Sequence, residues 1–209
     1  MAHLHPTAEL AERALLPDDP GQALALTRVL FGETPRMFNH HRGLWGYTGI
    51  ALDGAPLTVQ STGIGGPSAA IVVAELHRLG LRRAVRIGRA WALDGGLRAG
   101  ELVAASAVVA YDGTSRALGA GERIEPDAVL TAALEGDRRG LLASSDVERV
   151  DDRSGALAFD LESAAVLAAA ARAGMPAACL VAIEGAVDPD DVAVRLGRGA
   201  LPAIAPVRV

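Results

Sequence analysis

Apolar residues fall into two kinds of run along this chain: short stretches of strand length and longer stripes of helical length. Leu57-Thr58-Val59-Gln60-Ser61-Thr62 reads as a strand, 68–79 as a helix closed by Gly80, and Ala84-Val85-Arg86-Ile87 as the next strand. That succession is a βαβ unit, which implies parallel strands and a right-handed crossover. Residues 101–111 read as a long strand, Pro126 to Leu134 as a short helix and Gly140 to Ser144 as another strand. An Ala-rich helix over 161–173 stops at Gly174, Ala177 to Ile183 is a buried strand, and Pro189-Asp190-Asp191 starts a last short helix. No repeat, linker or shift of composition divides the chain, so the pattern predicts one α/β domain over 1–209, a mixed sheet enclosed by helices.

Between the first strand and its helix lies Ser61-Thr62-Gly63-Ile64-Gly65-Gly66-Pro67-Ser68. Its glycines permit positive φ and close approach of another group. Pro67 suits a first helical position, where a missing N–H is no loss. A strand–glycine loop–helix junction presents free N–H groups to an anion or a polar ligand, although tight connection alone also explains such a loop.

Half of the 209 residues are hydrophobic but only 3% are aromatic, so the core is built from Ala, Val and Leu. Every basic side chain is Arg. A net charge of −5 and a pI near 5.5 argue against a nucleic-acid surface. The single cysteine, Cys179, excludes a disulfide framework within the chain and points to a reducing compartment. The start reads His3-Leu4-His5-Pro6, unlike a secretory signal, and no apolar segment is long enough to span a membrane. A soluble cytoplasmic protein is the expectation. His40 and His41 have no Cys or carboxylate at metal-ligand spacing, so no metal is expected.

Polar residues cluster where strands end, the usual place for ligands on open α/β sheets. The pieces are Leu15-Leu16-Pro17-Asp18-Asp19-Pro20-Gly21, His41-Arg42-Gly43, Gly46-Tyr47-Thr48-Gly49, the 61–68 loop, Arg86-Ile87-Gly88, Tyr111-Asp112-Gly113-Thr114-Ser115, Ala143-Ser144-Ser145-Asp146 and Asp160-Leu161-Glu162-Ser163. In this order, over roughly residues 3 to 187, the chain resembles the nucleoside phosphorylases of the uridine and hexameric purine type. The resemblance implies a single-domain, three-layer α/β/α fold with a central mixed, largely parallel twisted sheet. It also implies phosphorolysis of a nucleoside to base and pentose 1-phosphate, with phosphate as co-substrate and no cofactor. Arg86 then matches a phosphate arginine, and Arg42 the one lent by a neighbouring subunit. Glu162 matches the glutamate on the ribose hydroxyls, Leu161 stands for the methionine under the sugar, and Gly65 belongs to the glycine loop. His3 matches a histidine that a neighbour extends to the sugar 5′ end, so a homo-oligomer, dimer to hexamer, is implied.

Each match also has a structural reading: Glu162 at a helix start as a cap, Arg42 as a surface residue, His3 as part of a frayed terminus. Arg86, on an internal strand, resists one, since an unpaired buried charge is costly.

Several positions depart from the pattern. Asp18 replaces the phosphate glycine, and Gln22 replaces an arginine. Arg89-Ala90-Trp91 follows Arg86-Ile87-Gly88, and Trp91 falls where backbone normally lies against the base. Glu148 stands in place of an aromatic ring, while Glu184 and Gly185 stand where purine enzymes carry Ser-Asp. Two accounts fit. In one, Arg89 replaces the lost cation and Glu184 serves as the acid for the leaving base. In the other, Arg89 pairs with Asp18 and Trp91 fills the base pocket. The expectation is phosphorolysis weakened or lost. The alternatives are an active phosphorylase or hydrolase with an altered substrate, or a non-catalytic nucleoside- or anion-binding subunit.

Overall fold

Strand β5 (Arg83–Ala92) organises the molecule, because it pairs with three neighbours. The computed structural model describes residues 2–148, 151 and 154–206. On one side β5 runs parallel to β1 (Arg13–Leu16), with Leu16 opposite Arg86. On the other it runs parallel to β10 (Ala177–Ile183) from Ala84 to Ala90, and its last two residues pair antiparallel with β9 (Ala158–Asp160). Beyond β1 the sheet continues through β4 (Pro56–Gln60), β3 (Gly46–Ile50) and β2 (Arg36–Asn39). Beyond β10 it passes through β6 (Leu102–Ala110) and β8 (Arg138–Ser144) to β9, so these five strands close a ring of ladders on β5. The short β7 (Arg123–Ile124) adds to β6. The sheet is mixed, with the parallel ladders concentrated on β1, β5, β10, β6 and β8.

Helices cover both faces, as expected for a three-layer α/β/α fold. Helices α2 (Gly65–Leu79), α3 (Gly113–Ala117) and α5 (Ser163–Arg172) pack together on one side; α1 (Pro20–Leu30), α4 (Ala128–Ala132) and α6 (Pro189–Ala200) cover the other. All seven residues of β10 are buried, which is why it reads as an unbroken apolar run rather than an alternating one.

The elements expected from 57 onward are present, with shifted ends. Helix α2 begins at Gly65, so Pro67 occupies its third position rather than its first. Gly80 closes it at φ 114, its N–H donating to Leu76 and His77 carbonyls. Helix α1 starts where Asp19 accepts from the Gln22 N–H at 2.7 Å and Pro20 opens the first turn. No helix among the described residues is long and apolar enough to cross a membrane.

Candidate active site

The carboxyl ends of β1, β4, β5, β9 and β10 meet around a cavity of about 260 Å3. Asp18 enters from the turn after β1, Ile64 from the glycine loop, Arg89, Ala90 and Trp91 from β5, Leu161 and Glu162 from the turn after β9, Glu184 from the end of β10, and Glu148 from the segment after β8. Larger grooves, of about 390 and 450 Å3, lie toward the amino ends of β1 and β5, around Glu12, Arg82 and Thr48. There the buried Arg13 is already matched by Asp53 and three carbonyls, whereas the smaller cavity gathers Arg89, Trp91, Leu161, Glu162 and Glu184 and is the candidate site.

Arg86 lies beneath that cavity, 1% exposed. Its Nη2 is 2.6 Å from Glu162 Oε2, 3.2 Å from Asp160 Oδ2 and 3.8 Å from Asp18 Oδ1. Burial opposes the charge, but Asp160, then Glu162 and Asp18, hold the guanidinium protonated above its ordinary value. Arg86 Nε and Nη1, and Asp18 Oδ1, have no hydrogen-bond partner among the described residues. A Cβ at Gly88 would collide with both Arg86 Nη1 and Asp18 Oδ1, so a bare backbone is needed where the two groups converge.

Asp160 is fixed by serines. Ser144 Oγ donates to Oδ1 and Ser163 Oγ to Oδ2, each at 2.5 Å, and the Ser163 N–H donates to Oδ1 at 3.1 Å. Ser144 Oγ accepts in turn from the Ala164 N–H at 3.0 Å, which joins the end of β8 to the start of α5. Glu162 stands at the N-cap of α5 but makes no cap hydrogen bond. Its Oε1 instead accepts from the Gly65 N–H at 2.7 Å, tying the glycine loop to Arg86. Burial pushes the Glu162 carboxyl up while Arg86 pulls it back. Cys179, behind Arg86, has its thiol pushed up to about 12 by burial and then by Asp160, so it is an inert core residue.

The pairing of Arg89 with Asp18 does not occur. Register puts Asp18, two residues past Leu16, beside Gly88, two residues past Arg86. Side chains alternate along a strand, so Arg86 and Gly88 face α2 and α5 while Arg89 faces the other side. There Arg89 pairs with Glu184, Nε to Oε2 and Nη1 to Oε1 both at 3.3 Å. Nor does Trp91 fill the cavity: it is half-buried and stacks on Phe159, ring centroids 5.0 Å apart at 25°. Gln22 opens into an adjoining cavity of about 240 Å3 that shares Arg89 with the first.

Two expected site residues lie outside their own chain's cavity. His3 Nδ1 is 3.1 Å from Glu75 Oε1. Arg42 is exposed on a 3-10 turn at φ 60, the one non-glycine residue with positive φ among the described residues. Among those residues no group of three or more His, Cys, Asp or Glu is gathered as a metal would need. Asp160 and its two serines were quoted in the sequence motifs without a role; their signal was the pair of hydroxyls at strand end and helix start.

Residues 12–147 match the Phosphorylase superfamily. Guanosine phosphorylase of Halorubrum lacusprofundi is 32% identical over 197 residues, 85% of this chain and 79% of that protein. A DeoD-type purine nucleoside phosphorylase of Geobacillus kaustophilus is 31% identical over 195 residues, 85% and 82% of the two chains. Uridine phosphorylase of Treponema pallidum is 33% identical over 129 residues, 61% of this chain and 49% of its own length. An α/β protein with its polar cavity at the strand ends is thus placed among sugar–base phosphorylases, and the chain belongs to the nucleoside phosphorylase family.

Proposed function

We propose that the cavity holds a nucleoside and that the chain cleaves its N-glycosidic bond with water, phosphorolysis being weakened or lost. One observation carries this reading: Asp18 sets a carboxylate 3.8 Å from the guanidinium that an incoming phosphate would need. At about 4 Å, like charges repel by ~1–4 kcal/mol depending on how wet the site is. Asp160 and Glu162 already contact Arg86, so no surplus positive charge is left for an anion. The Asp18 side chain lines the cavity and is partly exposed there, its Oδ1 turned inward to Arg86, so its outer face is placed to take a proton from water. A cavity of about 260 Å3 suits a small ligand rather than a drug-sized one, for which ~300–1,000 Å3 is usual.

In this reading Glu162 and Leu161 face the sugar, while Arg89, Trp91 and Glu184 border the base. His3 and Arg42 serve the site of a neighbouring subunit in a homo-oligomer, and the protein works in the cytoplasm. Base release from uridine, inosine and adenosine, followed with and without phosphate, tests the reading. The expected result is release that phosphate does not accelerate, and Asp18→Gly is expected to make it phosphate-stimulated by at least about tenfold. Release that depends wholly on phosphate in the unaltered protein overturns the reading. Absence of binding by any nucleoside in calorimetric titration overturns it too, and turns the search to protein partners.

A further inference from the structure

A neutral nucleoside base leaves as an anion unless an acid protonates it. The residues around this cavity are poor suppliers of that proton. Glu184 accepts a hydrogen bond from Arg89 at Oε1 and is ion-paired with it at Oε2, so it is engaged as an acceptor rather than a donor. Gly185 carries no side chain, and a Cβ there would lie 2.5 Å from the Ala99 Cβ, so an acid cannot be added at 185 without moving backbone. The cavity also has a surplus of negative charge: Asp18, Glu148, Glu162 and Glu184 line it, and of the described residues lining it Arg89 alone is cationic. Behind the wall, Arg86 is matched by Glu162 and Asp160, which leaves Asp18, Glu148 and Glu184 against Arg89 alone. Trp91 adds an aromatic surface, and an indole attracts a flat cation.

We propose that the substrate is an N-nucleoside whose base carries a fixed positive charge, a pyridinium riboside or an N7-alkylated purine nucleoside, with an unphosphorylated sugar. This rests on the reading of the site as a centre of N-glycosidic cleavage. The water oxygen forms a bond to C1′ while the C1′–N bond breaks. The bonding pair goes to the ring nitrogen and cancels its positive charge, so the base leaves neutral and needs no proton. The water proton passes to the Asp18 carboxylate, and the products are the free pentose and the neutral base. Glu148 and Glu184 hold the cationic ring before the bond breaks and lose their attraction for it afterwards, which favours product release.

The test uses the unaltered protein with four probes: a pyridinium riboside, N7-methylinosine, inosine and uridine. Affinity is read by calorimetric titration and base release by chromatography, each rate divided by the spontaneous rate of the same probe. The expected result is binding of the two cationic probes about tenfold tighter than the neutral ones, weakening with salt, together with release of their bases. Glu148→Gln and Glu184→Gln are each expected to shrink the cationic-to-neutral affinity ratio about threefold or more. Equal or tighter binding of inosine or uridine overturns the charged-base proposal, and release of their bases would leave glycosidic cleavage standing. Failure of all four probes to bind a folded protein overturns both.

Discussion

At the floor of the cavity Arg86 is 1% exposed and sits among Asp18, Asp160 and Glu162, whereas at the rim Arg89 and Glu184 meet with side chains 49% and 36% exposed. The charges are of the same kinds, but burial separates their consequences. On the floor a desolvated guanidinium is held by partners that are themselves fixed by Ser144, Ser163 and the Gly65 N–H, so removal of one member strands the others. At the rim water screens both ions and accepts their loss. The floor therefore governs whether the fold closes, and the rim governs what enters it.

Arg86→Met is the most severe way to break this contrast. It leaves three carboxylates around an apolar side chain, and breaking a buried pair typically costs ~3–5 kcal/mol. Urea denaturation is expected to show a loss of that size, or no folded protein at all. A loss below about 1 kcal/mol would mean that water reaches the floor as it does the rim.

Glu75 sharpens the comparison, being a buried carboxylate held by N–H groups instead of a guanidinium. Burial alone would raise it, but the Leu4 N–H at 2.8 Å, the His3 ring and the N–H groups of Ala2 and His3 outweigh burial and bring it to about 2. A depressed carboxylate stabilises the folded state above its unfolded value, here 4.5, and that contribution is lost as pH falls from 4.5 toward 2. Protection of the Ala2 to Leu4 amides, measured as exchange relative to the intrinsic rate at each pH, is expected to fall across that window. In Glu75→Gln it is expected to be low already at neutral pH.

Asp160→Ala comes next, with an expected loss of ~1–3 kcal/mol as Ser144 and Ser163 lose their acceptor. Thermal unfolding measures it, and Asp160→Asn should recover part of the loss, because an amide oxygen can still accept from one hydroxyl.

Much of the floor was legible in the sequence and much of the rim was not. Arg86 on an apolar strand and Glu162 at the head of an Ala-rich helix announced themselves by type and place. Asp18 also stood out, yet its partner did not, because that depends on the β1–β5 register and on the alternation that turns Arg89 away from Arg86. The Arg89–Glu184 pair joins the ends of two parallel strands brought together by a ladder between residues some ninety positions apart, which no local pattern reveals. Strand β1 has four residues and β3 contains two glycines, too little apolar signal to read as strands. Helix α1 was not among the elements expected, although Asp19-Pro20, a cap followed by a first-turn proline, was its signal.

The smallest effect is expected at the rim. Exposed ion pairs are worth ~0–1 kcal/mol, so Arg89→Ala should shift the melting temperature by no more than about 4 °C. Its consequence lies in charge rather than stability. Without Arg89, Glu184 faces the cavity with no cation opposite, and Asp18, Glu148 and Glu162 share the same wall. The variant should bind N7-methylinosine a few-fold more tightly than the unaltered protein, with the gain largest at low salt, when screening is weakest. If the melting temperature instead falls by the amount seen for Asp160→Ala, Arg89 belongs with the floor, and the division drawn by burial is wrong.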